Sequence, residues 1–445
     1  MRNPLLITLG LGVFAGALDL GVLSPALPAL AQTFGVATGD LAWIFTLYLL
    51  VTVVSIAIAG AMADRYGRRP IYIACVGLFA FGSVLAILAP SYGFFLLARA
   101  IQALGVGGIF PVAAAAIGDV VPPERRGAAL GLVAATWGLA AVIGPALGGI
   151  VTHLISWRWI FAANLPLAAI VIAMACKYVP SAAPRVRGPA DVTGIALLCL
   201  GLLALMDGIL GLRVVTIVAG IVLLVGFLWW ERTAKHPLIP PAMLASRQLV
   251  RTYALEITIG VLEGALFFIP TVLVGAQHLS YAAAGAIAAL GALTFVIVIP
   301  VAGRALDEIG SRDVLLIGAL FTEIGLAIFA LGFSSIWLSL LSMVVAGIGF
   351  GALLGAPTRY IVTNESQPQT RATAIGLLSQ GLIVGQILGA SLAGGIMDAA
   401  NAQFDGFRES YLAFAAVAIL ALFIAAFLKP QRTERLAIGT DDAAG

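Results

Sequence analysis

Apolar residues in this chain come in long stretches, without the two-residue or 3.6-residue alternation of half-buried soluble elements. A bilayer core about 30 Å thick is crossed by about 20 mainly apolar residues in a helix. Runs of that kind fall near 5–31, 41–62, 71–89, 93–118, 128–153, 159–178, 191–207, 213–230, 252–275, 281–302, 314–333, 336–360, 372–397 and 409–428, which predicts fourteen spans. The seventh and eighth are the shortest, and twelve spans with a long amphipathic insert is the competing reading. The first run starts behind Arg2 and could imitate a signal peptide, but it is too long for one and carries Asp19. It is kept as a span.

Charge placement tests this count. With the N-terminus inside, twenty lysines and arginines fall in the inner connections and tails, against Arg158, Arg213 and Arg408 outside. This positive-inside bias puts both termini in the cytoplasm. Trp43, Trp157, Trp159, Trp229, Trp230 and Trp337 fall near span ends, where interfacial aromatics belong. Only 10% of the 445 residues are charged and 61% are hydrophobic, whereas a soluble domain carries about 25% charge. The chain therefore reads as an all-α polytopic membrane protein of the plasma membrane.

Two segments recur. Gly60-Ala-Met-Ala-Asp64-Arg65-Tyr-Gly67-Arg68-Arg69 follows the second span, and Gly303-Arg-Ala-Leu-Asp307-Glu-Ile-Gly310-Ser-Arg312 follows the tenth, at an offset of 243. Arg126-Gly-Ala-Ala-Leu-Gly131 matches Arg371-Ala-Thr-Ala-Ile-Gly376 at an offset of 245, and Gly144 and Gly149 continue that register to Gly389 and Gly394. Spans 1–6 and 9–14 thus read as two copies of one six-helix unit, with spans 7 and 8 inserted. The expected division is 1–180, an insertion over 181–247, a second bundle over 248–430, and a cytoplasmic tail over 431–445. Parallel repeats of this kind place a substrate path between the halves near the membrane midplane.

In the Gly60–Arg69 loop, Gly60 and Gly67 permit close helix approach and a tight turn. Asp64 can accept from a helix N-terminus or an arginine and so latch the cytoplasmic side, as Asp307 would in the second copy. Arg65, Arg68 and Arg69 also enforce topology. In the fifth span, Pro145 removes a backbone donor, and Gly144, Gly148 and Gly149 give a smooth packing face. That helix could serve as a hinge or a seal. Topology and packing alone are the plain alternative for both motifs.

Five charges lie at membrane depth, where each is expensive: Asp19, Arg99, Glu256, Glu263 and Glu323. Glu256 and Glu263 are seven residues apart and share a helix face. Asp19 and Glu263 differ by 244, which predicts near-equivalent places in the two halves. Desolvation favours the neutral carboxyl and a nearby arginine the ionised one, so such a group can exchange a proton or bind a cation. Arg99, followed by Gln102, is a candidate partner for Asp19. A static ion pair is the alternative.

Other chemistry has little support. Gly105-Val-Gly107-Gly108 and Gly347-Ile-Gly349-Phe-Gly351 lie inside spans rather than after strands, so they read as packing faces. No Gly-x-x-x-x-Gly-Lys-Ser/Thr sequence occurs, which argues against ATP as the direct energy source. The three cysteines and three histidines have no metal-ligand spacing. The dispersed net charge of +3 argues against nucleic acid, and no nucleophile–base set suggests an enzyme.

These residues resemble the major facilitator superfamily. Gly60–Arg69 resembles its loop signature, Leu97-Ala-Arg99-Ala-Ile-Gln102-Ala-Leu-Gly105 its helix-4 arginine motif, and Gly144-Pro145-Ala-Leu-Gly148-Gly149 its antiporter motif. Leu18-Asp19-Leu-Gly-Val-Leu-Ser-Pro25-Ala-Leu-Pro28 and Trp157-Arg158-Trp159-Ile-Phe161-Ala-Ala-Asn164-Leu-Pro166 resemble motifs of its drug exporters. The two bundles with two inserted linker helices are similar to the fourteen-helix drug:proton antiporter family. Ala140 departs from the antiporter motif, and Gly21 and Ser24 depart from the first-helix motif.

The resemblance implies alternating-access export of small amphiphilic or cationic compounds, with protons as the coupling ion and no cofactor. It implies proton coupling at Arg99 and antiport directionality at Gly144-Pro145; the membrane-depth carboxylates Asp19, Glu263 and Glu256 are the groups expected to exchange the proton. The expected cavity is lined by spans 1, 4, 9 and 12, with Gln102, Phe110, Phe267, Phe268, Phe350 and Glu323 as contacts. The expected partners are the lipid bilayer, a small-molecule substrate and protons, with the chain a monomer. Export or flipping of an endogenous lipid or metabolite is the alternative.

Overall fold

The computed structural model describes residues 4–180, 192–211, 213–234, 246–366, 371–399 and 404–430. The expected linkers and the tail fall largely outside them. Among the described residues the regular structure is entirely helical. In chain order the helices are α1 (Pro4–Leu23), α2 (Leu27–Phe34), α3 (Ala42–Tyr66), α4 (Arg68–Ile87), α5 (Tyr92–Val120), α6 (Pro123–Leu154), α7 (Arg158–Tyr178), α8 (Val192–Leu210) and α9 (Val214–Glu231). They continue as α10 (Arg247–Leu266), α11 (Ile269–Gln277), α12 (Tyr281–Ile309), α13 (Ser311–Gly332), α14 (Ile336–Leu353), α15 (Pro357–Glu365), α16 (Arg371–Ala399) and α17 (Phe404–Ala426).

These helices make fourteen segments long and apolar enough to cross a membrane. The twelve-span reading is set aside, because α8 and α9 are both full-length apolar helices. Spans 1, 9 and 12 are each broken in two. In span 1 the break is a 3₁₀ turn over Ser24–Ala26. Pro25 and Pro28 account for it, since each lacks the N–H that would continue the ladder. In span 9 the break falls at Phe267 and Phe268, just before Pro270 opens the next helix. Ser24 plus the repeat offset of 243 is Phe267, so the two copies break at matching places. Span 12 breaks at 354–356, between Leu353 and Pro357.

The loop repeat has a matching backbone. Gly67 ends α3 at φ +96° and Gly310 ends α12 at φ +88°. An L side chain rarely adopts that region, so glycine is required at both turns.

The chain divides into two compact units. The first holds Met1–Leu238 with Ile269–Ala289, and the second Ile239–Phe268 with Leu290–Gly445. In the first unit α1 lies on α6 and α7, and α4 lies on α5 and α7. The inserted helices α8 and α9 pack on each other, and α8 touches α3. The second unit repeats the plan, with α10 on α16 and α17 and α13 on α14 and α17.

Glycine sets the α1–α6 and α10–α16 crossings. A Cβ on Gly144 would sit 2.9 Å from the Gly21 Cα, and one on Gly148 would overlap the Val22 carbonyl. In the second copy Gly264 lies against Gly389, and Gly260 against Gly385. The outer faces stay apolar: Val214, Val215, Val222 and Trp229 on α9 are all more than 60% exposed. That suits a lipid environment and not water.

Candidate functional site

Two sites at membrane depth emerge, one in each unit. In the first, Asp19 of α1 points into the bundle, where it is 1% exposed. Arg99 of α5 is 0% exposed and donates from Nη1 to Asp19 Oδ2 at 2.5 Å. The same Nη1 lies 2.5 Å from Gln102 Oε1. Gln102 Nε2 donates to Asp19 Oδ1 at 2.8 Å and to Ser83 Oγ at 2.9 Å. Asn164 of α7 donates to Asp19 Oδ1 at 3.0 Å and to Ser83 Oγ at 3.3 Å. The guanidinium carbon lies 4.0 Å from the centre of the Tyr48 ring, a close cation–π contact. Four helices and the α3 tyrosine therefore meet at one closed polar knot.

Its surroundings are aromatic. Phe34, Phe95, Trp157 and Phe161 pack edge to face or tilted, with ring centres 5.6–6.2 Å apart. Trp157 Nε1 donates to Thr33 Oγ1 at 3.0 Å. Phe161 of this cluster also has its ring centre 5.9 Å from the Arg99 guanidinium carbon, which ties the rings to the knot.

The second site differs in kind. Glu263 of α10 is half-buried, and Gln386 Nε2 of α16 donates to its Oε2 at 2.8 Å. Among the described residues no cation bridges it. Phe267, one turn further on, is half-buried too. Two turns the other way, Glu256 is 5% exposed. It hydrogen-bonds Thr358 of α15, has Arg359 nearby, and keeps Oε2 without a partner.

Asp19 and Glu263 do not occupy equivalent places. The contacts of Gly21 with Gly144 and of Gly264 with Gly389 set the α1–α10 register at 243, which maps Asp19 onto Leu262. One residue turns a helix by about 100°, so Asp19 faces α5 and α7 while Glu263 faces α16.

Other expected residues are placed as follows. Gln102 belongs to the knot, not to an open cavity wall, because both ends of its amide are engaged there. Phe268 at 0% and Phe350 at 2% exposure are core residues of the second unit, enclosed at the helix crossings. Phe110, at 45%, is exposed, and Glu323 on α13 is half-buried. Gly60 makes no close approach, since a Cβ there would meet nothing described within 4 Å. The side chain of Asp64 lies outside the described residues. Arg68 instead pairs with Asp119 at 3.2 Å, at the junction of α4 with the end of α5. Arg65 is exposed and lies over Tyr66, Arg69 is half-buried, and Asp307 is exposed. Gly149 packs on the Tyr281 backbone and Gly285 on Pro145, all within the first unit. Pro145 itself sits in an uninterrupted α6. The glycines at 105, 107 and 108 pack on α3 and α4, as a packing face should.

Ser83 and Gln386 were not singled out from sequence, and Asn164 was noted only within a motif. For Asn164 and Gln386 the usable signal is the rarity of amides in apolar helices. A search confined to charged residues passes over it.

The chain matches the sequence profile of the Major Facilitator Superfamily over residues 9–202 and 252–443. It is 34% identical over 408 residues to an uncharacterised MFS-type transporter, YfiU, of Bacillus subtilis (strain 168), covering 87% of this chain and 78% of that protein. It is 29% identical to a multidrug resistance protein B homolog of Mycobacterium tuberculosis (strain ATCC 25618 / H37Rv), covering 87% of this chain and 75% of that one. Among solved structures, the POT family transporter PepTSo superposes with a TM-score of 0.72 at 15% identity, over 98% of this chain and 99% of that one. The fold and the sequence are those of integral membrane transporters, and the chain belongs to the major facilitator superfamily.

Proposed function

We propose that this protein exports small amphiphilic or cationic compounds across the plasma membrane in exchange for protons, by alternating access, with both termini in the cytoplasm. The observation that carries the reading is Glu263: a half-buried carboxyl at membrane depth, held by one amide and bridged by no described cation. Such a group can give up a proton and take up a cation in its place. Phe267 beside it suits an apolar or aromatic cation. The names of two relatives agree with this direction. One is the multidrug resistance protein B homolog, and the other is a multidrug resistance protein 3 of Bacillus subtilis (strain 168), 27% identical over 90% of this chain and 81% of that one. Proton entry down a membrane potential supplies about 2.3 kcal/mol per charge per 100 mV, enough to drive accumulation without ATP.

The test is flux of a fluorescent cationic dye in proteoliposomes under an imposed pH gradient. Flux that needs the gradient supports the reading. Well-folded protein that moves no dye at any gradient refutes it, and directs the search to lipids and metabolites.

A further inference from the structure

A patch of the second unit lies apart from both membrane-depth sites, where α10 begins and α17 ends. Arg247 and Arg251 stand one turn apart on the same face of α10. Arg251 Nη1 donates to the Phe427 carbonyl at 2.5 Å, and its guanidinium carbon lies 5.8 Å from the centre of the Phe427 ring. That carbonyl stands just past α17, beyond the helical ladder. The bond therefore holds the guanidinium where the apolar face of α17 stops, and the other N–H groups of its fork stay available to a further acceptor.

The apolar face beside it is open. The Phe423 and Phe427 rings meet edge to face, 4.8 Å between centres, and are 61% and 51% exposed. Ile419 and Leu420, a turn back along α17, extend the exposed strip into the membrane. Charge at the patch is unbalanced. The Lys429 backbone N–H donates to Gln248 Oε1 at 3.1 Å, which sets Lys429 beside the first turn of α10. Its ammonium is held by Glu365 of α15, and that carboxylate also accepts from Ser246 Oγ at 3.3 Å. Among the described residues neither Arg247, which is exposed, nor Arg251 has a carboxylate partner.

We propose that this junction binds an anionic phospholipid, its phosphate on Arg247 and Arg251 and an acyl chain along Phe427, Phe423 and Leu420. The planar guanidinium fork matches phosphate oxygens, and basic pockets between spanning helices take such headgroups. A choline lipid would bring its own cation into the same positive field. With both termini cytoplasmic, as proposed above, the lipid belongs to the inner leaflet. Binding itself rests neither on that orientation nor on export.

Lipid titration tests this. Delipidated full-length protein in detergent receives phosphatidylglycerol, phosphatidylcholine or inorganic phosphate. Native mass spectrometry follows the first bound lipid, and thermal unfolding follows stability. Phosphatidylglycerol is expected to bind and to raise the melting temperature, and the other two to do neither at the same concentration. Arg247→Gln and Arg251→Gln should each weaken binding about five-fold, the equivalent of ~1 kcal/mol per arginine near a charged surface. Phe423→Ala should weaken it with the charge intact, and Arg213→Gln, at the start of α9, should change nothing. Phosphatidylcholine or free phosphate that binds as tightly overturns the proposal. So does a double variant, Arg247→Gln with Arg251→Gln, that keeps wild-type affinity, or a loss of equal size in Arg213→Gln. If Arg251→Gln does not fold, Arg247→Gln decides, because its exposed side chain has no described partner to lose. Dye flux on the same preparation reads the export proposal separately: lipid binding without flux refutes only export, and flux without lipid binding refutes only the lipid site.

Discussion

Asp19→Asn is expected to destabilise the first unit far more than Arg99→Gln together with it. The 2.5 Å bond joins groups exposed by 1% and 0%. Removing one member of a buried pair costs about 3–5 kcal/mol, because the other charge is left uncompensated. An asparagine at 19 also keeps one acceptor oxygen where Arg99, Gln102 and Asn164 all donate. A buried donor left unmet costs about 1–3 kcal/mol, though terms within one network do not simply add. A total near 4 kcal/mol follows. At 2–4 °C per kcal/mol for a unit of this size, the melting temperature should fall by about 10 °C. Arg99→Gln alone should cost somewhat less, since the Gln102 and Asn164 amides still satisfy the carboxylate. It does forfeit the contact over Tyr48. In the double variant no charge is buried, so its loss should be well below the sum of the two. The assay is thermal unfolding in detergent, followed by intrinsic fluorescence across the full cycle. A fall of less than about 2 °C for Asp19→Asn, or strict additivity in the double variant, would refute the reasoning.

Three further outcomes are expected. Gly148→Leu should abolish folded protein in size-exclusion profiles, because even a Cβ there overlaps the Val22 carbonyl, whereas Gly60→Ala should be tolerated, with no described neighbour within 4 Å. Trp157→Ala should lower stability by about 3–5 kcal/mol, the range for a large buried aromatic, through its contacts with Phe95, Phe161 and Thr33; a melting temperature unchanged from wild type would contradict the packing. Arg68→Ala should lower stability by no more than about 1 kcal/mol, because its pair with Asp119 is partly exposed; a larger loss in the same melt would mean that the pair carries more than its geometry implies.

Much of the architecture was legible in residue order, for physical reasons. Twenty-residue apolar runs leave the backbone no partner but itself, so helix and span count follow from composition. The offsets of 243 and 245 expose the repeat, and Gly67 and Gly310, at matching places in the two loops, both take a positive φ. Pro25 and Pro357 mark helix breaks at the residues where they stand.

Direction around a helix was not legible. In an all-apolar helix no period distinguishes one face from another, so Asp19 and Glu263 look interchangeable at an offset of 244. Packing separates them. The Gly21–Gly144 and Gly264–Gly389 contacts set a register one residue different, and about 100° of rotation sends one carboxyl to an arginine and the other to an amide. The same limit hid Ser83, Asn164 and Gln386, and it put Phe268 and Phe350 on a cavity wall when they lie in the core. Sequence by itself determined that this is a membrane protein of repeated helices carrying a few costly charges. Only the tertiary structure decided which of those charges is paired with an arginine and which is held by an amide, because a side chain's partners are chosen by the helices packed around it.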